Sequence, residues 1–280
     1  MVNTYRLRGG VTSVLLHLFL IALAHFMVFP FIWMLSTSLK LPQDVFGYPP
    51  KIIPENPTLI HYRFLIEEQN LLRILWNTVF VALAGTLLSL FFCSLGGYGF
   101  AKYEFPGKNV LFSFLLATMV IPFAVTMVPS FVLMRQLKWV DTFYALIIPG
   151  AANAFGIFFM RQYISTISGE LLDAARIDGA SEFGIYWRIV VPIIRPGLIS
   201  LGLIFFMGSW NSYLWPLIIL KTPAKFTMPL AIASFGGAVG LTNYPGQMAM
   251  SVISIIPLLI IFLVFQRRFV EGVMAGAIKS

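Results

Sequence analysis

The sequence predicts an all-α integral membrane protein of one domain, residues 1–280, with six transmembrane helices and cytoplasmic termini. Three observations carry this. The chain is 59% hydrophobic, 15% aromatic and only 11% charged, whereas soluble domains carry charge on about a quarter of their residues. Its apolar residues gather into runs at about 11–35, 74–95, 110–132, 144–160, 198–220 and 249–265, and a helix needs roughly 20 such residues to cross a hydrocarbon core. As drawn, none of the runs contains Asp, Glu, Lys or Arg. A net charge of +8 would suggest nucleic acid in a soluble chain. Here the basic residues lie in short links between the runs, where they set orientation, so the expected partner is a lipid bilayer and not nucleic acid. The lone cysteine, Cys93, lies in an apolar run, which excludes an internal disulfide and reads as packing.

In chain order, Arg6 and Arg8 precede a first run too long for the apolar core of a cleavable signal. Ala22-Leu23-Ala24 falls in its middle, so it reads as an uncleaved first span. Residues 36–73 form an outer segment studded with Pro42, Pro49, Pro50, Pro54 and Pro57, too polar to cross. The second run leads into GGYGFAKYEFPGKN (96–109), whose glycines predict a broken turn. The fourth run is the weakest: Pro149, Gly150, Asn153 and Gly156 interrupt it, although Ala151, Ala152 and Ala154 suit close helix packing in lipid. The stretch 221–247 is nearly uncharged and carries Gly236-Gly237; loops of that length are functional or disordered as a rule. Lys and Arg lean modestly toward the side that holds both termini.

Between the fourth and fifth runs lies a charged, helix-prone island, Glu170 to Pro196. Ser168 is placed to cap a helix with Glu170 and Asp173 in its first turns, running through Ala174, Ala175 and Arg176 to a break at Gly179. Ser181 is placed to cap a second helix, with Glu182 in its first turn, Arg188 in its last, and a stop at Pro192. Ala174 and Ala175 leave one side nearly bare, and Leu172 and Ile177 supply an apolar grip, so a partner can approach the backbone closely.

The order Asp173-Ala174-Ala175, three residues, Gly179, nine residues, Ile189-Val190-Val191-Pro192 resembles the EAA loop of bacterial binding-protein-dependent ABC importers. Asp173 stands where that pattern has Glu, and Val191 where it has Leu. The tail residues Gln266, Phe269, Gly272, Gly276, Ala277 and Lys279, and the link 96–109, are similar to those of MalG-type sugar-importer subunits. The resemblance implies an ABC type I importer permease fold, with an oligosaccharide or related glycoside as cargo. It also implies a cytoplasmic coupling loop, 168–196, docking on an ATPase subunit through Asp173, Ala174, Ala175, Arg176, Asp178, Gly179, Ala180, Ile189 and Pro192. The implied partners are a MalF-like second permease subunit, two ATPase subunits and an extracytoplasmic solute-binding protein touched by Gly236 and Gly237. All would assemble at a bacterial cytoplasmic membrane. Uptake of a polyol or a glycerophosphate stays open on the residues alone.

The energy source must lie outside this chain. No Gly-x4-Gly-Lys-Ser/Thr phosphate loop is present, since Gly107-Lys108 is followed by Asn109. No constellation of metal ligands or paired carboxylates suggests catalysis. The chain therefore reads as a transport subunit and not an enzyme, binding no cofactor, with ATP and Mg on partner subunits. A self-sufficient carrier or channel is disfavoured because such proteins keep ionisable groups inside the membrane, and a membrane-embedded transferase because catalytic groups are missing. His17 and His25 are the exceptions within a run and read as neutral, hydrogen-bonded packing residues. Ser209, Trp210, Asn211 and Tyr213, ahead of Pro216, mix amide, hydroxyl and aromatic groups as sugar sites do. The same residues equally suit an aromatic belt at the membrane interface. Asn77 and Asn153 are weaker path candidates. Prolines inside five of the runs suit hinges and a merely curved bundle equally well.

Overall fold

The computed structural model describes residues 3–235 and 243–277, with side chains described for 12–235 and 243–264. In order, the helices are α1 (Asn3–Ser38), α2 (Ile60–Glu67), α3 (Leu71–Lys102), α4 (Lys108–Thr118), α5 (Phe123–Gln136), α6 (Tyr144–Ile147) and α7 (Ala154–Ser165). Then come α8 (Gly169–Ile177) and α9 (Glu182–Ile185), which continues through a π-helical stretch, Tyr186–Val190, into α10 (Val191–Ile193). The remainder is α11 (Arg195–Trp210), α12 (Leu214–Ile219), α13 (Met228–Ser234) and α14 (Tyr244–Ala277). No strand occurs among the described residues.

Three helices are long and apolar enough to span a membrane unbroken: Thr12–Ser38 of α1, all of α3, and Tyr244–Val264 of α14. Where the third run suggested one helix, α4 and α5 meet at a bend of 100°. Pro122 caps α5 there in an extended conformation that ends the preceding helix. The fourth run is also split. Pro149-Gly150 separates the single turn of α6 from α7, and Asn153 restarts the chain by accepting from the Gly156 amide at 2.8 Å. The fifth run is interrupted between Trp210 and Leu214. Pro122 and Pro149 thus sit at breaks, whereas Pro30, Pro129 and Pro257 lie inside continuous helices.

The chain divides into two compact units. In the unit formed by Met1–Gln69 and Ile232–Ile256, the proline-rich segment folds back over the end of α1. Thr58 donates its amide to the Leu39 carbonyl at 2.9 Å, and Ser36 donates its hydroxyl to the Ile52 carbonyl. Lys40 is only 2% exposed; its ammonium donates to the Lys51 carbonyl and lies 4.6 Å from the centre of the Trp33 ring. His17 and His25 bond carbonyls one turn earlier on α1, those of Ser13 and Ile21. Both are exposed on the surface of α1 and not packed inside it.

The second unit, Asn70–Ala231 with Pro257–Ser280, is built on α3, α7 and α11. Here the expectation for 96–109 is corrected: α3 runs unbroken through Gly96, Gly97 and Gly99 to Lys102. These glycines make room for a neighbour instead of ending the helix. A Cβ on Gly97 would lie 2.6 Å from the Met160 Cβ and 2.8 Å from the Arg161 amide nitrogen, so α7 crosses α3 with backbone nearly touching backbone. One turn earlier Cys93, fully buried, rests against Gly156. At the Leu71 end of α3, Asn77 donates to the carbonyls of Ala224 and Phe226 at 2.9 and 3.0 Å, and Thr78 accepts the Met228 amide at 2.8 Å. Nearby, Asp141 holds a left-handed φ of 61° and accepts from the Lys221 and Thr222 amides, the Thr222 hydroxyl and the Lys225 ammonium. Partial desolvation alone would raise the Asp141 carboxyl, but these hydrogen bonds hold it well below the usual carboxylate range.

Candidate functional site

The island at 168–196 is built from the core outward. Tyr98, Met160, Ile164, Leu201 and Ile194 form a buried cluster that also takes Leu172 from α8, Ile185 from α9, and Tyr186 and Val190 from the π stretch. Ala175, Ile189 and Val191 pack against its edge. Leu172 is 1% exposed, which corrects its expected role: it anchors the loop to its own chain and offers no grip to a partner. Ile177, by contrast, is 87% exposed, and Ala174 and Asp178 to Ala180 are exposed beside it.

The end of α8 follows from its sequence. Gly179 takes a φ of +79°, a conformation that costs any residue with a Cβ. Its amide bonds the Arg176 carbonyl and that of Ala180 bonds the Ala175 carbonyl, both at 3.0 Å. This crossed pair closes the helix as a Schellman turn. At the other end Ser168 has cap geometry, but its hydroxyl makes no capping bond. Ser181 does cap α9, accepting the Gly184 amide at 3.1 Å. Pro192 does not stop the second helix as expected. Lacking an amide proton, it leaves the carbonyl four residues earlier without its usual donor, and the helix passes it by widening over Tyr186–Val190. The chain turns only at Ile194, where Glu182–Ile193 and Arg195–Trp210 meet at 78°.

Charge then latches the loop. Arg176 donates to Asp173 at 2.6 Å and, across the Gly179 turn, to Glu182 at 2.8 Å. Glu182 also accepts the hydroxyl of Tyr103, just past the end of α3, and more distantly that of Tyr98 at 3.5 Å. Hydrogen bonds from Arg176 and then Tyr103 lower the Glu182 carboxyl from its ordinary value, and the bonds to Glu182 and then Asp173 raise the Arg176 guanidinium. Burial, followed by the bond to Glu182, raises the Tyr103 phenol. Tyr98 packs its ring edge-on against Tyr103 at 5.3 Å and leans on Tyr186 at 5.6 Å; the Tyr186 hydroxyl meets the Ser94 hydroxyl at 2.6 Å.

A second feature is a cleft of about 690 Å³ where α11 breaks before α12, lined by residues of α5, the chain around Pro149, and Asn211 to Trp215. Of the path candidates, Asn211 and Tyr213 line it. The others sit elsewhere. Ser209 faces Gly85, Trp210 is 1% exposed and stacks on Phe206 at 5.5 Å, Asn77 holds the Ala224–Phe226 carbonyls, and Asn153 caps α7. Sequence reasoning passed over Thr126 and Ser130, which also line the cleft; their spacing of one helical turn within an apolar run was the available signal. Gly236 and Gly237 lie outside the described residues. Among the described residues no cluster of His, Cys, Asp or Glu suits a metal ion.

Three long apolar helices, two further apolar helix pairs joined at sharp bends, a cleft with hydroxyl and amide groups at a helix break and a latched helical loop define a membrane permease subunit. The profile of the family described as binding-protein-dependent transport system inner membrane component matches residues 93–274. The chain belongs to this family of ABC transporter permeases, as a MalG-like member: a membrane transport component and not an enzyme. It is 35% identical to the arabinooligosaccharides transport system permease protein AraQ of Bacillus subtilis over 274 residues, covering 97% of each chain. It is also 35% identical to the lactose transport system permease protein LacG of Rhizobium radiobacter over 261 residues, 92% of this chain and 94% of that one. Among solved structures, it resembles a chain of a bacterial ABC transporter involved in import of the acidic polysaccharide alginate. The TM-score is 0.82 at 27% identity, covering 95% of this chain and 98% of the other.

Proposed function

We propose that this chain is the membrane-spanning subunit of an ATP-driven importer that carries an oligosaccharide or related glycoside across a bacterial cytoplasmic membrane. It crosses six times as one domain beside a second, MalF-like permease subunit, with both termini and residues 168–196 in the cytoplasm. Two ATPase subunits bind ATP and Mg, and α8 and α9 seat in a groove on one of them. An extracytoplasmic solute-binding protein delivers the sugar and touches the segment around Gly236 and Gly237. The relatives named for sugars support the cargo class, as does a cleft of hydroxyl, amide and aromatic groups.

One observation carries the coupling role: the inner face of α8 is spent on the core through Leu172, while Ile177 stands 87% exposed beside the small Ala174. An isoleucine so placed on a charged loop serves no packing purpose within the chain and suits a partner groove. When the ATPase dimer closes, the groove displaces α8, and the Arg176–Glu182–Tyr103 latch passes the displacement to α3.

Reconstitution with the partner subunits tests this. Ile177→Asp should lower both uptake and the ATPase stimulation given by loaded binding protein by about tenfold, equivalent to about 1.4 kcal/mol, in complexes that still assemble. Parent-level coupling in that variant would remove the loop from the mechanism. Single cysteines at positions 49 and 179 in a Cys93→Ala background should label from outside the cell only at 49. External labelling at 179 would overturn the topology.

A further inference from the structure

We infer that the cleft at the α11–α12 break selects an uncharged glycoside against an acidic one of the same size, an inference that rests on the cleft being part of the sugar path. None of the residues lining it bears a carboxylate, amine, guanidinium or imidazole, and Arg135, the basic residue of α5, is not among them.

The polar groups that remain available are of mixed kind. Asn211 spends one of its two side-chain amide N–H groups on the Met207 carbonyl at 2.9 Å, which leaves its amide oxygen as an acceptor and its second N–H as a donor. Thr126 donates its hydroxyl proton to the Phe123 carbonyl at 3.0 Å and is likewise left to accept. The hydroxyls of Ser130, Ser212 and Tyr213 have no protein partner among the described residues and can do either. Trp215 ties its indole N–H to the Ala145 carbonyl at 2.8 Å, so its contribution to the cleft is ring surface, set edge-on to Phe123 at 6.0 Å.

A sugar hydroxyl both donates and accepts, so it can use every one of these groups, and the sugar C–H face can lie on the rings. A carboxylate accepts only. Neutral N–H and O–H donors are all the cleft offers it, Thr126 presents only oxygen, and no cation stands in for the water the charge sheds, a combination that disfavours a buried charge. A volume of about 690 Å³ falls within the range of about 300–1,000 Å³ that holds small-molecule ligands.

The test uses the assembled importer in nanodiscs with Ser212→Cys in a Cys93→Ala background, and with Thr126→Cys as an independent reporter. Maleimide labelling of the peptide carrying the cysteine is read by mass spectrometry against rising galactotriose or trigalacturonic acid of the same linkage, which differ in the carboxylates alone. Galactotriose should protect at concentrations about tenfold lower or more, equivalent to about 1.4 kcal/mol of discrimination. Adding Ser130→Arg should bring protection by the uronide to at least the same level. Equal or better protection by trigalacturonic acid in the parent background overturns the charge selection while leaving the path in place. Protection by neither sugar, in samples that still import sugar, overturns the path reading and the selection with it.

Discussion

The guanidinium of Arg176 reaches both carboxylate oxygens of Glu182, at 2.8 and 3.4 Å, across the turn made by Gly179. Because Glu182 also holds Tyr103, this contact joins the two loop helices to each other and to the end of α3. Arg176 is 36% and Glu182 48% exposed at the side chain, so solvent screens the pair, and ion pairs of that kind contribute only about 0.2–1 kcal/mol to stability. Glu182→Gln should therefore leave the unfolding temperature nearly unchanged while lowering ATPase stimulation by loaded binding protein. Tyr103→Phe should do the same to a smaller degree. If both variants couple like the parent, the latch has no part in transmission.

Gly179 separates two effects that a single substitution confuses. Its φ is +79°, yet among the described residues no atom beyond its own chain neighbours lies within 4 Å of where a Cβ would stand. Gly179→Ala should cost about 1–2 kcal/mol through backbone conformation alone, and Gly179→Asn less, since Asn tolerates the left-handed region. Gly179→Leu should impair ATPase docking beyond the Ala variant. Equal coupling in Ala and Leu variants, measured by stimulated ATP hydrolysis, would mean that no partner surface lies close to this position.

Gly97 behaves differently because its limit is steric. A methyl group there meets the Met160 Cβ and the Arg161 nitrogen, atoms that no rotamer change can move. Gly97→Ala should destabilise the protein by about 1–3 kcal/mol, and Met160→Ala should fail to rescue it because the clashing atoms remain. Thermal unfolding of the two single variants and the double in detergent checks this. Restoration by the double variant would show that the helices separate easily.

Asp141 gives a pH dependence with a definite sign. Its folded carboxyl titrates below the unfolded one, so the stabilisation is complete above the ordinary carboxylate range and is lost as pH falls through the depressed folded value. Asp141→Asn should lower stability by about 1.5–3 kcal/mol at pH 7, the range for a hydrogen bond to a charged group. The gap to the parent should close on acidification. A gap independent of pH between 7 and 2 would show that the charge is not what holds the 221–225 turn.

The local parts of the site were legible in the sequence because they depend on near neighbours. Gly179 as a helix end and Ser181 as a cap each follow from a residue type and a spacing of two or three positions. What was not legible depends on distant pairs. Nothing near Glu182 in the chain announces Tyr103, and nothing near Asp141 announces Lys221 and Thr222. Leu172 looked like a partner contact because an exposed short helix and one docked on its own core have the same pattern. Gly96 and Gly97 looked like a break because the backbone freedom that ends a helix is indistinguishable, in one sequence, from the smallness that lets another helix pass. The sharp bend between α4 and α5 was hidden for a related reason: apolar residues surround Pro122 on both sides, so hydropathy alone reads one span.

α3 holds Ala224 and Phe226 through Asn77 near one end and meets Glu182 through Tyr103 just beyond the other. At about 1.5 Å per residue these points are roughly 40 Å apart, and no proline or bend interrupts the shaft between them. A stiff rod of that kind transmits torque: a tilt of a few degrees at the latch appears as a displacement of a few ångströms where the 224–228 turn is held, and no residue between needs to change its contacts in sequence. Under the coupling proposed above, transmission through this chain would be a matter of leverage, with the crossing of Gly97 over Met160 as the fulcrum and the stiffness of one helix setting how much of the stroke arrives.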